Sequence, residues 1–261
     1  METFNDEKVV LEQYRMLRSS QIRYFGCPFR CFRVEMLTKS ILFRRSWVDS
    51  SAKSDPPPDF YNNRHKIMMD IMRIDDCVNK IKGKKVNNSF ARENIAMVKM
   101  AGEDYKERLD GTLYFLADTR NNKEFNIFGY QKNFARVLND HSDKIDNYRK
   151  NHPKCKTCVL FVFDESNDYV QLTDNTKFAN GSPQGEIKIH QHFVDKKMIN
   201  VIKNTKADYV IWMTRYKSLY INNKPVRRPQ ACIYDVKHFK QKGVEYDYQK
   251  MYKVTEEVKR L

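Results

Sequence analysis

A chain of 261 residues that is 41% hydrophobic and 13% aromatic can bury a real core, which excludes a disordered polymer. Its 48 lysines and arginines stand against 33 acids, and the formal charge of +15 attracts phosphate backbones and acidic surfaces without dictating a fold. No run approaches the roughly 18–20 apolar residues of a membrane span, so no membrane partner is expected.

The N-terminal METFNDEKVV is acidic and has no apolar signal region. Six cysteines in such a context read as reduced thiols, and the expected compartment is the cytoplasm. From Asn5 to Tyr24 the residues Val9, Leu11, Tyr14, Leu17 and Ile22 suit an irregularly amphipathic helix. A second apolar and basic segment, Phe29 to Trp47, follows the Gly26–Pro28 break. Ser50 to Pro58 holds three prolines and reads as a loop or linker. Residues 1–50 are therefore expected to form a basic helical segment and 51–261 an α/β domain, unless one continuous domain spans both.

Asp59–Asn62 precedes Lys66–Ile74, whose short apolar run reads as a buried strand, and a helix (Phe90–Ala101) and a strand (Leu113–Ala117) come next. Tyr130 to Lys150 is the clearest helix, with Phe134, Val137, Leu138, His141, Ile145 and Tyr148 on one face, ended by Pro153. Strands at Cys158–Phe163, Glu186–Phe193, Tyr209–Met213 and Ala231–Tyr234, with a short helix at Lys196–Asn204, complete the chain. The alternation predicts an α/β fold, a mixed central sheet flanked by helices.

The positive charge is concentrated. Gln13 to Val48 and Tyr209 to Val244 each carry a net +7, together 14 of the 15 net charges. Candidate phosphate contacts are Arg15, Arg18, Arg23, Arg30, Arg33, Arg44 and Arg45 in the first stretch, and Arg215, Lys217, Lys224, Arg227 and Arg228 in the second. Aromatic residues lie between these charges, the composition of a surface that neutralises phosphates and stacks bases. Phe29, Phe32, Trp212 and Tyr234 are expected in the core.

Pro58-Asp59 followed by a strand that presents Asp70 resembles the PD-(D/E)xK nuclease core. The resemblance runs from about Glu12, where some members carry an extra acid, to Asp118. It implies a restriction-endonuclease-like sheet, with Asp59 and Asp70 holding Mg²⁺ and a lysine organising the attacking water. This chain departs from the pattern, because Ile71 and Met72 follow Asp70 and the lysine is absent. Lys66, four residues earlier on the expected strand, shares its face and is the substitute. Alternatively, Asp59 caps a turn and Asp70 sits at a strand edge.

A rival register combines Asp164 with Glu186-Ile187-Lys188, and Asp235-Val236-Lys237 is a third acid-x-lysine. His190 and His192 form an H-x-H pair with no third ligand at metal spacing. Cys27 and Cys31, with Cys155 and Cys158, invite a zinc reading, but the two pairs lie far apart in sequence. With no Walker loop, G-x-G-x-x-G or G-x-S-x-G, nucleotide binding through a glycine-rich phosphate loop is not expected. Three functions stay open: a metal-dependent nuclease, a nucleic-acid-binding protein without chemistry, and a phage- or defence-related adaptor for an acidic protein. PPDF, KIMMDIMRIDD and VFDES also resemble segments of a group of bacterial and phage proteins, a likeness that implies no activity.

Overall fold

Helix α1 (Asp6–Met16) buries Val10, Leu11 and Tyr14 at helical spacing and stops well before Tyr24. The residues expected to extend it form strand β1 (Ile22–Phe25), because Ile22 and Phe25 are claimed by cores on opposite sides of the sheet. This overrides local helical pattern. Gly26, at φ +105°, turns the chain into α2 (Pro28–Lys39); a Cβ there would meet Asp235 at 2.9 Å. Ser40 caps the short α3 (Ile41–Arg44) by accepting from the Leu42 amide.

A computed structural model describes residues 6–50, 57–76, 127–172, 177–179, 182–184, 187–214, 220–221, 224–225 and 228–253. The expected helix Phe90–Ala101 and strand Leu113–Ala117 lie outside these. After α3 come β2 (Val48–Asp49), β3 (Phe60–Asn62), β4 (Ile67–Ile74), the long α4 (Ile127–Asn151) and β5 (Thr157–Asp164). Then follow β6 (Tyr169–Leu172), β7 (Lys177–Ala179), β8 (Ser182–Gln184), β9 (Ile187–Ile189), α5 (Lys196–Lys203) and β10 (Tyr209–Thr214). The last strands are β11 (Tyr220–Ile221), β12 (Lys224–Pro225), β13 (Ala231–Asp235) and β14 (Met251–Lys253).

Seven strands form one mixed sheet in the order β1-β13-β10-β5-β4-β3-β2. Its centre, β4, β5 and β10, is parallel and buried, which explains the near-continuous apolar runs of those strands. Both edge strands come from the first fifty residues, so the basic N-terminal segment is woven into the sheet. Helices cover the two faces. Met68, Leu160, Val162 and Trp212 pack with α4 and α5, and Ile67, Met69, Phe161 and Ile211 with α1 and α2. Alternate residues of each central strand therefore serve opposite cores. A separate three-stranded sheet, β14-β6-β9, lies beyond β5 in the chain. Among the described residues no helix is long and apolar enough to cross a membrane.

Candidate functional site

Strands β3 and β4 pair antiparallel with Phe60 opposite Met69, so the next positions outward are Asp59 and Asp70. Phe60 and Met69 enter the α1–α2 core, and their neighbours turn towards α4. Asp70 is 3% exposed, its Oδ2 accepting from the Tyr148 hydroxyl at 2.7 Å and lying 2.5 Å from Nδ1 of His141. Oδ2 of Asp59 accepts from the Ile71 amide at 2.7 Å. Burial, and then the charge of Asp70, push the Asp59 carboxyl up to about 8; the Ile71 hydrogen bond opposes this, and Glu7 on α1 adds to it. At neutral pH Asp59 thus keeps its proton. Burial and the Asp70 charge also raise the Tyr148 phenol, which stays a donor.

The result is a protonated Asp59 carboxyl beside Asp70, backed by a phenol, with His141, a quarter exposed, at the rim. Such a pair can pass a proton to a bound group or exchange its proton for a cation. Among the described residues no group of three or more His, Cys, Asp or Glu is placed to hold a metal ion. Two carboxylates nevertheless suit Mg²⁺, which keeps several waters and takes its remaining oxygens from substrate phosphate.

Lys66 is not where the sequence placed it. It precedes β4 in an exposed turn with φ +56°, and its carbonyl accepts from the Lys156 and Thr157 amides at 2.9 and 3.0 Å. The strand-face argument fails because the strand starts at Ile67. Met72, which stands at the missing lysine's position, is buried under α4. Glu12 faces Arg15 and Arg44 at 2.6 and 3.3 Å.

The rival register is not assembled as expected. Asp164 ends β5, buried, and accepts from Tyr130, Trp212 and the Ser166 amide. Lys188 is exposed on β9, which pairs with β6 and not β5. Glu186 lies outside the described residues. Asp235 is buried between Arg30 and His238. His190 and His192 lie past the end of β9 and each face a different aspartate, Asp195 at 2.7 Å and Asp164 at 3.8 Å. The sheet separates the cysteines, with Cys31 on the α2 side and Cys155 and Cys158 on the α4 side. Burial pushes the Cys31 thiol up to about 11 and that of Cys158 higher, so neither offers a thiolate.

The proposed phosphate contacts divide into two sets. Arg15, Arg30, Arg44 and Arg228 are engaged by Glu12, Asp235, Glu12 and Asp168 respectively, Arg228 in a two-pronged pair at 2.7 and 3.1 Å. Arg18, Arg23, Arg33 and Arg45 are exposed and make no ion pair among the described residues. Arg215, Lys217 and Arg227 lie outside the described residues, and Lys224 is described only as part of β12. Because β1 runs parallel to β13, the two basic stretches meet at that pair, but exposed Lys237, Lys240 and Lys242 follow β13 in a segment that packs against α5, on the other side of the sheet from α2. Trp212 and Tyr234 are buried as expected, but Phe29 and Phe32 are 86% and 48% exposed, contrary to the core assignment.

Sequence reasoning missed His141 and Tyr148 as site residues. Both were legible as the apolar-side face of α4, and only the signal of two polar groups on that face hinted that it covers something polar. Compared with known proteins, the chain matches no family model, no curated protein and no solved structure.

Proposed function

We propose that this chain is a nucleic-acid-binding protein with a Mg²⁺-dependent phosphodiesterase site of the PD-(D/E)xK type at Asp59 and Asp70. One observation carries the reading: acids from successive strands meet on one face, so close that Asp59 keeps a proton. A divalent cation relieves that crowding by displacing the proton. Asp59 and Asp70 would hold the ion, which when bound polarises a phosphoryl oxygen and acidifies an attacking water. Tyr148 and His141 fix the Asp70 carboxylate, with His141 at the rim of the site. The helix and strand that the resemblance sets after the two acid-bearing strands, Phe90–Ala101 and Leu113–Ala117, lie outside the described residues, so the reading is supported by the pairing of β3 with β4 alone.

The test is hydrolysis of DNA and RNA with Mg²⁺ or Mn²⁺. Asp70→Ala should abolish it, and cleavage that persists in the variant removes the site assignment. A second reading, binding without cleavage, is favoured by buried Met72 in place of the lysine. It expects a wild-type chain that binds with steep salt dependence and cuts nothing.

A further inference from the structure

The outer face of α2 is unusual for a water-facing helix. Phe29, Phe32, Arg33 and Met36 stand at i, i+3, i+4 and i+7 and share it, while Cys31, Val34, Glu35 and Thr38 are buried behind. Phe29 is 86% exposed, and Leu42 on α3 is 83% exposed. Of the two arginines on α2, Arg30 is paired with Asp235, and Arg33 has no carboxylate partner among the described residues. The single acid between Gln13 and Val48, Glu35, is buried against Ser19, Tyr24 and Lys39, and Asp235 is fully buried beneath Arg30.

We propose that this face binds single-stranded nucleic acid, with Phe29 and Phe32 stacking unpaired bases and Arg33 contacting the phosphates. The proposal rests on the nucleic-acid reading above and names its substrate class and surface. Charge complementarity selects the occupant. A second copy would bring a second unpaired Arg33 to the same face, and a lipid surface would draw Arg33, seated between Phe29 and Met36, into the acyl region. Open phenyl rings interleaved with guanidinium groups match a strand that offers base faces and phosphates alternately.

The experiment is anisotropy of fluorescein-labelled oligothymidine and of a duplex with the full chain in EDTA, so that cleavage cannot intervene. Phe29→Ala and Phe32→Ala should each weaken single-strand binding by about tenfold, while Phe29→Trp retains it. Neither alanine should alter the salt slope, whereas Arg33→Ala lowers it by about 0.7. Because both rings are exposed, unchanged melting curves show that the variants remain folded. Wild-type binding that both alanine variants retain overturns this proposal and leaves the broader reading standing. Capture by phosphatidylserine vesicles that depends on Phe29, with no oligothymidine bound, also overturns it. A wild-type chain that binds neither oligonucleotide at low salt removes the nucleic-acid reading itself.

Discussion

Nδ1 of His141 lies 2.5 Å from Oδ2 of Asp70, the oxygen that also takes the Tyr148 hydroxyl. Burial, and then the charge of Asp70, raise the Asp59 carboxyl to about 8. An unfolded aspartate titrates near ~3.9. Between those values the folded chain binds more protons than the unfolded one, so stability falls as pH rises through the window, by at most about 1.4 kcal/mol per pH unit. Asp59→Asn removes the titration. Its urea midpoint should exceed that of wild type at about pH 9 by more than at about pH 5, and parallel pH curves for the two chains would refute the raised Asp59 carboxyl.

Arg228 is a structural cation. Its guanidinium grips both oxygens of Asp168 and its side chain is only 5% exposed, so it cannot also present itself to phosphate. Removing one partner leaves a buried charge alone, at a cost of about 3–5 kcal/mol. Arg228→Ala should lower the denaturant midpoint accordingly. At a temperature where the variant is folded, its nucleic-acid affinity should match that of wild type. A folded variant with weakened, less salt-sensitive binding would return Arg228 to the interface.

Sequence pattern revealed the central strands and the long helix, because burial on two faces leaves a continuous apolar run and burial on one leaves a helical stripe. It also singled out Asp59 and Asp70, which the β3–β4 register sets opposite each other. It missed β1, whose four residues are a strand only because distant β13 pairs with them. It also misplaced Phe29 and Phe32. Hydrophobic type predicts burial on average, yet the α2 positions facing the sheet are taken by Cys31, Val34 and Glu35. Which basic residues are engaged depends on long-range partners such as Asp235 and Asp168, and no local pattern records them.

Glu35 is the polar pivot that holds α2 to β1. It is buried and accepts from Ser19 at 2.7 Å, from Lys39 at 3.0 Å and from the Tyr24 hydroxyl. Burial pushes its carboxyl up, but those three hydrogen bonds prevail and hold it below its usual value. A depressed carboxyl contributes stability above its unfolded value of ~4.3, and that contribution disappears as pH falls through the folded value. Glu35→Gln should cost about 2–3 kcal/mol at neutral pH, because Lys39 is left without its counter-charge. The difference from wild type should shrink in acid, as followed by urea unfolding across pH. A constant difference would mean that the charge contributes nothing.

Lys66 offers the sharpest separation of structural from catalytic roles. Its backbone sits at φ +56°, a left-handed conformation that costs a residue with a Cβ about 1–2 kcal/mol, while its carbonyl receives two amides from the start of β5. Glycine keeps that carbonyl and removes the penalty, less the entropy glycine gives up on folding. Lys66→Gly should therefore raise stability by roughly 0.5–1 kcal/mol. It should also leave any Mg²⁺-dependent cleavage unchanged, since the ammonium group stands in an exposed turn outside the strand that carries Asp70. Thermal melts and cleavage rates of this one variant decide the matter. Loss of cleavage in a chain at least as stable as wild type would restore Lys66 as the lysine that the nuclease resemblance requires.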